Sequence, residues 1–147
     1  MKSLFQVAVL AVSLACLSEQ AAAQAACADH AHAASLPAPK FDAKGIARTE
    51  TVRRDYDGKN QAIQVRVDFA PGASFPKHSH PGVEMAYVLS GEIEYEMDGK
   101  IIRLKAGESL YIPAGAVHSA KNIGSGVTSE LATYIVDKAK PIVILDK

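Results

Sequence analysis

The sequence predicts an all-β domain of short antiparallel strands, a sandwich or a barrel. Two observations carry this. From residue 72 onward the glycines recur at Gly72, Gly82, Gly91, Gly99, Gly107, Gly115 and Gly124, eight to ten residues apart, and turn signals at that spacing are what short strands require. Between them apolar and polar residues alternate with period two, and no long stretch has the helical period.

Taken in order, Ile63, Val65, Val67 and Phe69 alternate with Gln64, Arg66 and Asp68, the pattern of a half-buried strand. Further strands are expected at Met85 to Leu89, Ser109 to Ile112, Val117 to Asn122 and Thr128 to Val136. Glu92 to Met97 repeats the alternation, and Asp98-Gly99 is a two-residue hairpin turn leading into Lys100 to Leu104. Pro71, Pro76, Pro81 and Pro113 are placed at strand ends or turns, where a missing N–H is tolerated.

The first 44 residues read differently. Met1-Lys2, the apolar run from Leu4 to Leu17 and Ala21-Ala22-Ala23 have the order of a secretory signal, with cleavage after Ala23 or Ala25. The run is shorter than the roughly 20 residues a membrane span needs, so residues 1–25 are read as a signal peptide and the destination as periplasmic or secreted. Residues 26–44 are rich in Ala, Pro, His and Lys and read as a flexible tether. The β domain then covers 45–147. Cleavage removes Cys16 and leaves Cys27 as the single thiol, which excludes an internal disulfide. Sixteen basic residues balance sixteen acidic ones with no long run of either sign. That argues against nucleic acid as a partner, and against a membrane once the signal is cleaved.

His78 and His80 are two residues apart, so on a strand both imidazoles leave the same face. Glu84 follows the Pro81-Gly82 turn, and His118 follows Pro113-Ala114-Gly115, a second turn able to return a fourth donor. Three imidazoles and a carboxylate suit Mn, Fe, Ni, Cu or Zn better than Ca or Mg, and fill four positions of an octahedral ion, leaving two for water or substrate. Glu84 is also the candidate catalytic residue, because a carboxylate that leaves the ion can take a proton from substrate.

The full spacing is more specific than the donors alone. Gly72, five residues, His78-Ser79-His80, three residues, Glu84, six residues and Gly91 form one motif. Gly107, five residues, Pro113-Ala114-Gly115, two residues, His118, three residues and Asn122 form another. Together they resemble both signature motifs of the cupin superfamily, over roughly Gln61 to Val136. The resemblance implies a small single-domain cupin: an antiparallel double-sheet β-barrel of jelly-roll type, a metal held by His78, His80, Glu84 and His118, and frequent dimerisation. Asn122 is expected to be structural, satisfying local backbone groups.

Other residues take blander readings. His30 and His32 after Cys27 belong to a solvated tail, and Tyr87, Tyr95, Tyr111 and Tyr134 are read as strand packing residues with hydroxyls at the rim, lining of the pocket being the alternative for any one of them. If Glu84 points inward, so do Ala86 and Val88, which predicts a small apolar wall near the metal. Met85, Tyr87 and Leu89 then point outward and need cover, for which a homodimer is expected. The expected function is a metal-dependent, dioxygenase-like enzyme acting on a small organic molecule, with isomerase and lyase chemistry open. The alternative is a non-catalytic small-molecule or metal-binding protein.

Overall fold

A computed structural model describes residues 38–146. The expected signal peptide and most of the expected tether, with Cys27, His30 and His32, lie outside the described residues. Asp42 turns the chain into the first strand, its carboxylate accepting the N–H groups of Lys44 and Ile46.

Ten strands follow: β1 (Ile46–Asp55), β2 (Asn60–Phe69), β3 (Ser74–Ser79), β4 (Gly82–Ser90), β5 (Glu92–Met97), β6 (Lys100–Lys105), β7 (Ser109–Ile112), β8 (His118–Asn122), β9 (Thr128–Asp137) and β10 (Ile144–Leu145). All pairings are antiparallel. One sheet runs β1-β2-β9-β4-β7 and the other β10-β3-β8-β5-β6. The core lies between them, with Ile63, Val65, Val67 and Phe69 of β2 meeting Ile93 and Tyr95 of β5.

The double-sheet expectation holds, but the barrel does not close through hydrogen bonds. Among the described residues the two sheets remain separate ladders, joined by packing and by chain crossings. Strands β5 and β7 have the expected bounds, and the β5–β6 hairpin turns at Asp98-Gly99, where both residues take positive φ, 51° and 72°. That is the backbone such a tight turn needs.

Three details differ from expectation. Strand β1 carries little alternation and pairs with β2 along nearly its whole length. Pro76 sits inside β3, where the register with β8 breaks between Phe75 and His78, so a bulge accommodates it. Gly82 is not a turn glycine; it opens β4 opposite Val136, and a Cβ there would stand 2.1 Å from the Ile135 carbonyl oxygen.

Candidate metal centre

His78 and His118 face each other across β3 and β8, their ring centroids 4.2 Å apart. His80 stands just beyond β3, 4.8 Å from His78 and 5.1 Å from His118 by the same measure. The turn bearing His118 is tied to this place by the Gly115 N–H, which donates to the His80 carbonyl. Glu84 comes from the other sheet, on β4 between Tyr134 of β9 and Ile112 of β7. The structure thus brings all four expected side chains together, two from one sheet, one from the link after β3 and one from the other sheet, each at most 5% exposed.

Their hydrogen bonds fix which ring atoms face inward. The Nδ1 atoms of His78, His80 and His118 lie 2.8, 2.6 and 3.0 Å from the backbone oxygens of Pro76, Ile142 and Ala116. A carbonyl oxygen only accepts, so each Nδ1 carries the proton and donates, leaving the Nε2 lone pair free. One ligand atom from each of the three rings lies within 4.8 Å of the other two.

The Glu84 Oε2 atom is 2.8 Å from His80 Nε2 and 3.5 Å from His118 Nε2. Close as they are, His80 Nε2 and Glu84 Oε2 are not aligned as donor and acceptor, and each lacks a hydrogen-bond partner. Two lone pairs converging in a buried space are costly unless a cation lies between them. Neighbouring donors on one ion at about 2.1 Å stand roughly 3 Å apart, close to the spacing of Glu84 Oε2 from His80 and His118; the three imidazole donors, spread over as much as 4.8 Å, would draw together around an ion. The donor set fits a divalent transition metal.

Electrostatics keep the donors in ligating form. Burial lowers the His78 pKa to about 4, with His118 adding to the effect, so the imidazole is neutral at pH 7. Burial works to raise Glu84, and protons on the facing Nε2 atoms of His118 and His80 would outweigh it and hold the carboxyl to about 2; with those Nε2 atoms as lone pairs, a bound cation would take that part. The carboxyl is ionised at neutral pH.

Beside the cluster is a tight cavity with about 10 Å³ open to the centre of a water molecule, room for roughly one water. Its wall is not the apolar one expected. Ala86 and Val88 do point inward and are buried, and Met85, Tyr87 and Leu89 point outward, as strand parity predicts. But Glu130, Tyr95, Tyr134 and Arg48 also line it. On β9 the inward residues are Glu130, Ala132, Tyr134 and Val136, so a carboxylate falls on an otherwise buried face, and period-two parity carried to Glu130 would have found it. Arg48 had no such signal, because β1 lacks alternation.

Glu130 is buried and hydrogen-bonds the Tyr95 hydroxyl. Burial, reinforced by the Glu84 charge, pushes it up to about 8. Tyr95 and Tyr134 are raised well above the ordinary tyrosine range, chiefly by burial, so both keep their hydroxyl protons. Tyr87 and Tyr111 lie outside, 44% and 57% exposed. Asn122 is away from the cluster. Its amide donates to the carbonyls of Phe69, Ala70 and Gly126 and accepts from Gly124 N–H and Thr128 Oγ1, a structural knot.

Residues 65–134 match the family model described as Cupin domain. The chain belongs to the cupin superfamily. This cupin is 32% identical over 101 residues to oxalate oxidase GF-2.8 of Triticum aestivum, covering 61% of this chain and 45% of that protein. It is 35% identical over 72 residues to the oxalate-binding protein of Thermotoga maritima, covering 48% and 60%. The chain therefore spans about half the length of these curated relatives. A solved structure of a conserved Klebsiella pneumoniae protein with a double-stranded β-helix domain superposes with a TM-score of 0.62. At 23% identity, over 74% of this chain and 90% of that one, it is similar in fold.

Proposed function

We propose that this cupin is an exported, metal-dependent enzyme that uses oxygen chemistry on a small organic molecule. The observation that carries the reading is the convergence of three Nε2 lone pairs and the Glu84 carboxylate beside a cavity with polar walls. His78, His80, Glu84 and His118 would hold the ion, whether Mn, Fe, Ni, Cu or Zn. When bound, such an ion supplies a Lewis-acid centre and, for Fe or Mn, a redox couple.

The chain's own groups do the rest. The three carbonyls at the Nδ1 atoms orient the imidazoles. Tyr95 and Tyr134 supply hydroxyl donors on the inner wall, and Glu130 carries a proton at neutral pH. Glu84 is the carboxylate able to exchange a proton with substrate. The tight cavity argues for a molecule of a few atoms and against a flavonoid.

A relative named oxalate oxidase supports the oxygen-using version. A relative named oxalate-binding protein supports the alternative, a non-catalytic cupin that holds a small ligand or the metal itself. The polar groups beyond the four donors favour catalysis. The outward face of Met85, Tyr87, Leu89 and Tyr111, each more than 40% exposed, supports a homodimer built on that sheet.

Metal analysis of protein purified from its own compartment is the first test, with His80→Ala expected to lower the metal content. Unchanged loading in that variant would contradict the site. Oxygen uptake by Fe- or Mn-loaded protein with oxalate, small phenols and diketones then separates the two functions: silence with metal bound leaves the binding reading.

A further inference from the structure

The cavity has a second end, built from residues no motif includes. In the larger sheet Arg48 of β1 pairs with Val67 of β2, Val67 with Glu130 of β9, and Glu130 with Val88 of β4. Residues directly opposite in a ladder share a face. Arg48 therefore belongs to the same inward row as Glu130, two rows along from the row holding Glu84 and Tyr134. Between the rows stand Ala86 and Ala132, both small and buried.

Arg48 stands at the mouth. Its residue is exposed on one side, while its guanidinium lies 5.5 Å from the centroid of Phe75, which itself packs edge-on against His78 at 4.7 Å. It lines the cavity together with His78, Glu84 and His118. Its charge reaches the interior: it works against burial at both Tyr134 and Glu130. Yet among the described residues no carboxylate comes within ion-pair distance of it.

We propose that Arg48 is the anion receptor of this site, gripping the acidic group of a small carboxylate, of two or three carbons, whose other end faces the histidine cluster. The inference rests on the metal-centre reading and names the class of ligand that centre meets. A planar guanidinium held over an aromatic ring presents its N–H fork to a carboxylate in two parallel hydrogen bonds. Glu130 does not compete for it at neutral pH, because burial keeps that carboxyl largely protonated and the Tyr95 hydroxyl holds it. The enclosed volume holds about one water, so such a ligand must extend through the mouth at which Arg48 stands.

The test is calorimetric titration of the Mn-loaded full chain with oxalate and with oxamide, its neutral isostere. Metal content is read on every sample first. Arg48→Met keeps an apolar stem over Phe75 and removes the charge. It is expected to weaken oxalate about tenfold or more, the loss of a charge-assisted hydrogen-bond pair, with oxamide affinity and metal content unchanged. Arg54→Met, at an exposed position of the same strand outside the cavity lining, is expected to keep oxalate affinity within about threefold. The proposal is overturned if metal-loaded Arg48→Met binds oxalate like the wild type, if the wild type does not prefer oxalate to oxamide, or if Arg54→Met weakens oxalate as much as Arg48→Met does. Wild-type protein that takes up no metal would instead sink the metal centre, and the receptor with it, before any ligand is added.

Discussion

His78 gives the sharpest quantitative test of the buried cluster, because its neutral form is enforced by the fold. Its pKa is about 4 in the folded protein against 6.5 for an ordinary histidine, with burial as the first cause and His118 the second. The unfolded chain therefore binds a proton that the native state refuses. Stability from this group is fully present above pH 6.5, falls as pH drops through the window, and is gone near pH 4. At about 1.4 kcal/mol per pH unit the loss comes to about 3 kcal/mol, a large share of a small domain's total. Urea unfolding of metal-free protein at pH 7 and pH 4 measures the total, and the same pair of measurements on His78→Gln removes the titrating ring. The wild type is expected to lose about 3 kcal/mol more than the variant between the two pH values. Equal losses, or a His78 resonance titrating near pH 6.5 in the native protein, would refute the idea that the imidazole is held neutral for ligation.

Two other predictions concern how the frame positions the site and covers its outer face. Gly82→Ala places a Cβ 2.1 Å from the Ile135 backbone oxygen, so β4 must move from β9; stability should fall by about 2 kcal/mol or more, and metal affinity should fall too, because Glu84 rides two residues further along the same strand. A melting curve and metal titration matching the wild type would show that the approach at Gly82 is not needed. For the outer face, sedimentation at micromolar concentration is expected to give a dimer mass, and Tyr87→Glu with Leu89→Glu to give a monomer that still loads metal; a monomer mass for the unaltered protein would refute the homodimer.

Much of this arrangement was readable from residue order, for physical reasons that differ by element. Strand β5 and its turn were legible because Ile93 and Tyr95 alternate with charged neighbours, and because Asp98-Gly99 is among the few pairs that tolerate two positive φ angles. The four donors were legible because two short motifs fix them relative to turns. Strand β1 was not legible, since most of its length is exposed on both faces and no alternation survives. Pro76 was misplaced to a strand end because the bulge that absorbs it depends on β8, a partner remote in sequence. The polar wall was missed for a related reason. Glu130 shows up only when the parity of β9 is carried to its first turn, and Arg48 becomes a wall residue only once β1 pairs with β2 and β2 with β9.

The cluster's division between the sheets has a consequence for how this fold responds to its ion. His78 and the returning His118 come from the β10-β3-β8-β5-β6 sheet and His80 from the link just after β3, whereas Glu84 is the sole donor from the other, larger sheet. No ladder of hydrogen bonds joins the sheets among the described residues, so core packing and a few side-chain hydrogen bonds, Tyr95 to Glu130 and Asn122 to the Phe69 carbonyl among them, hold one against the other. A cation shared by the three imidazoles and Glu84 adds a cross-tie where the barrel lacks a hydrogen-bonded seam. Because the ion binds only when both sheets are in place, its affinity becomes stability of the whole domain by mass action, about 2.7 kcal/mol when free metal is a hundredfold above its dissociation constant. Under the proposed function Glu84 would have two separable jobs, tying the sheets and meeting the ligand. Arg48 and Glu130 belong to the same sheet as Glu84, so any shift of the larger sheet against the histidines changes the ligand's two anchoring ends relative to each other.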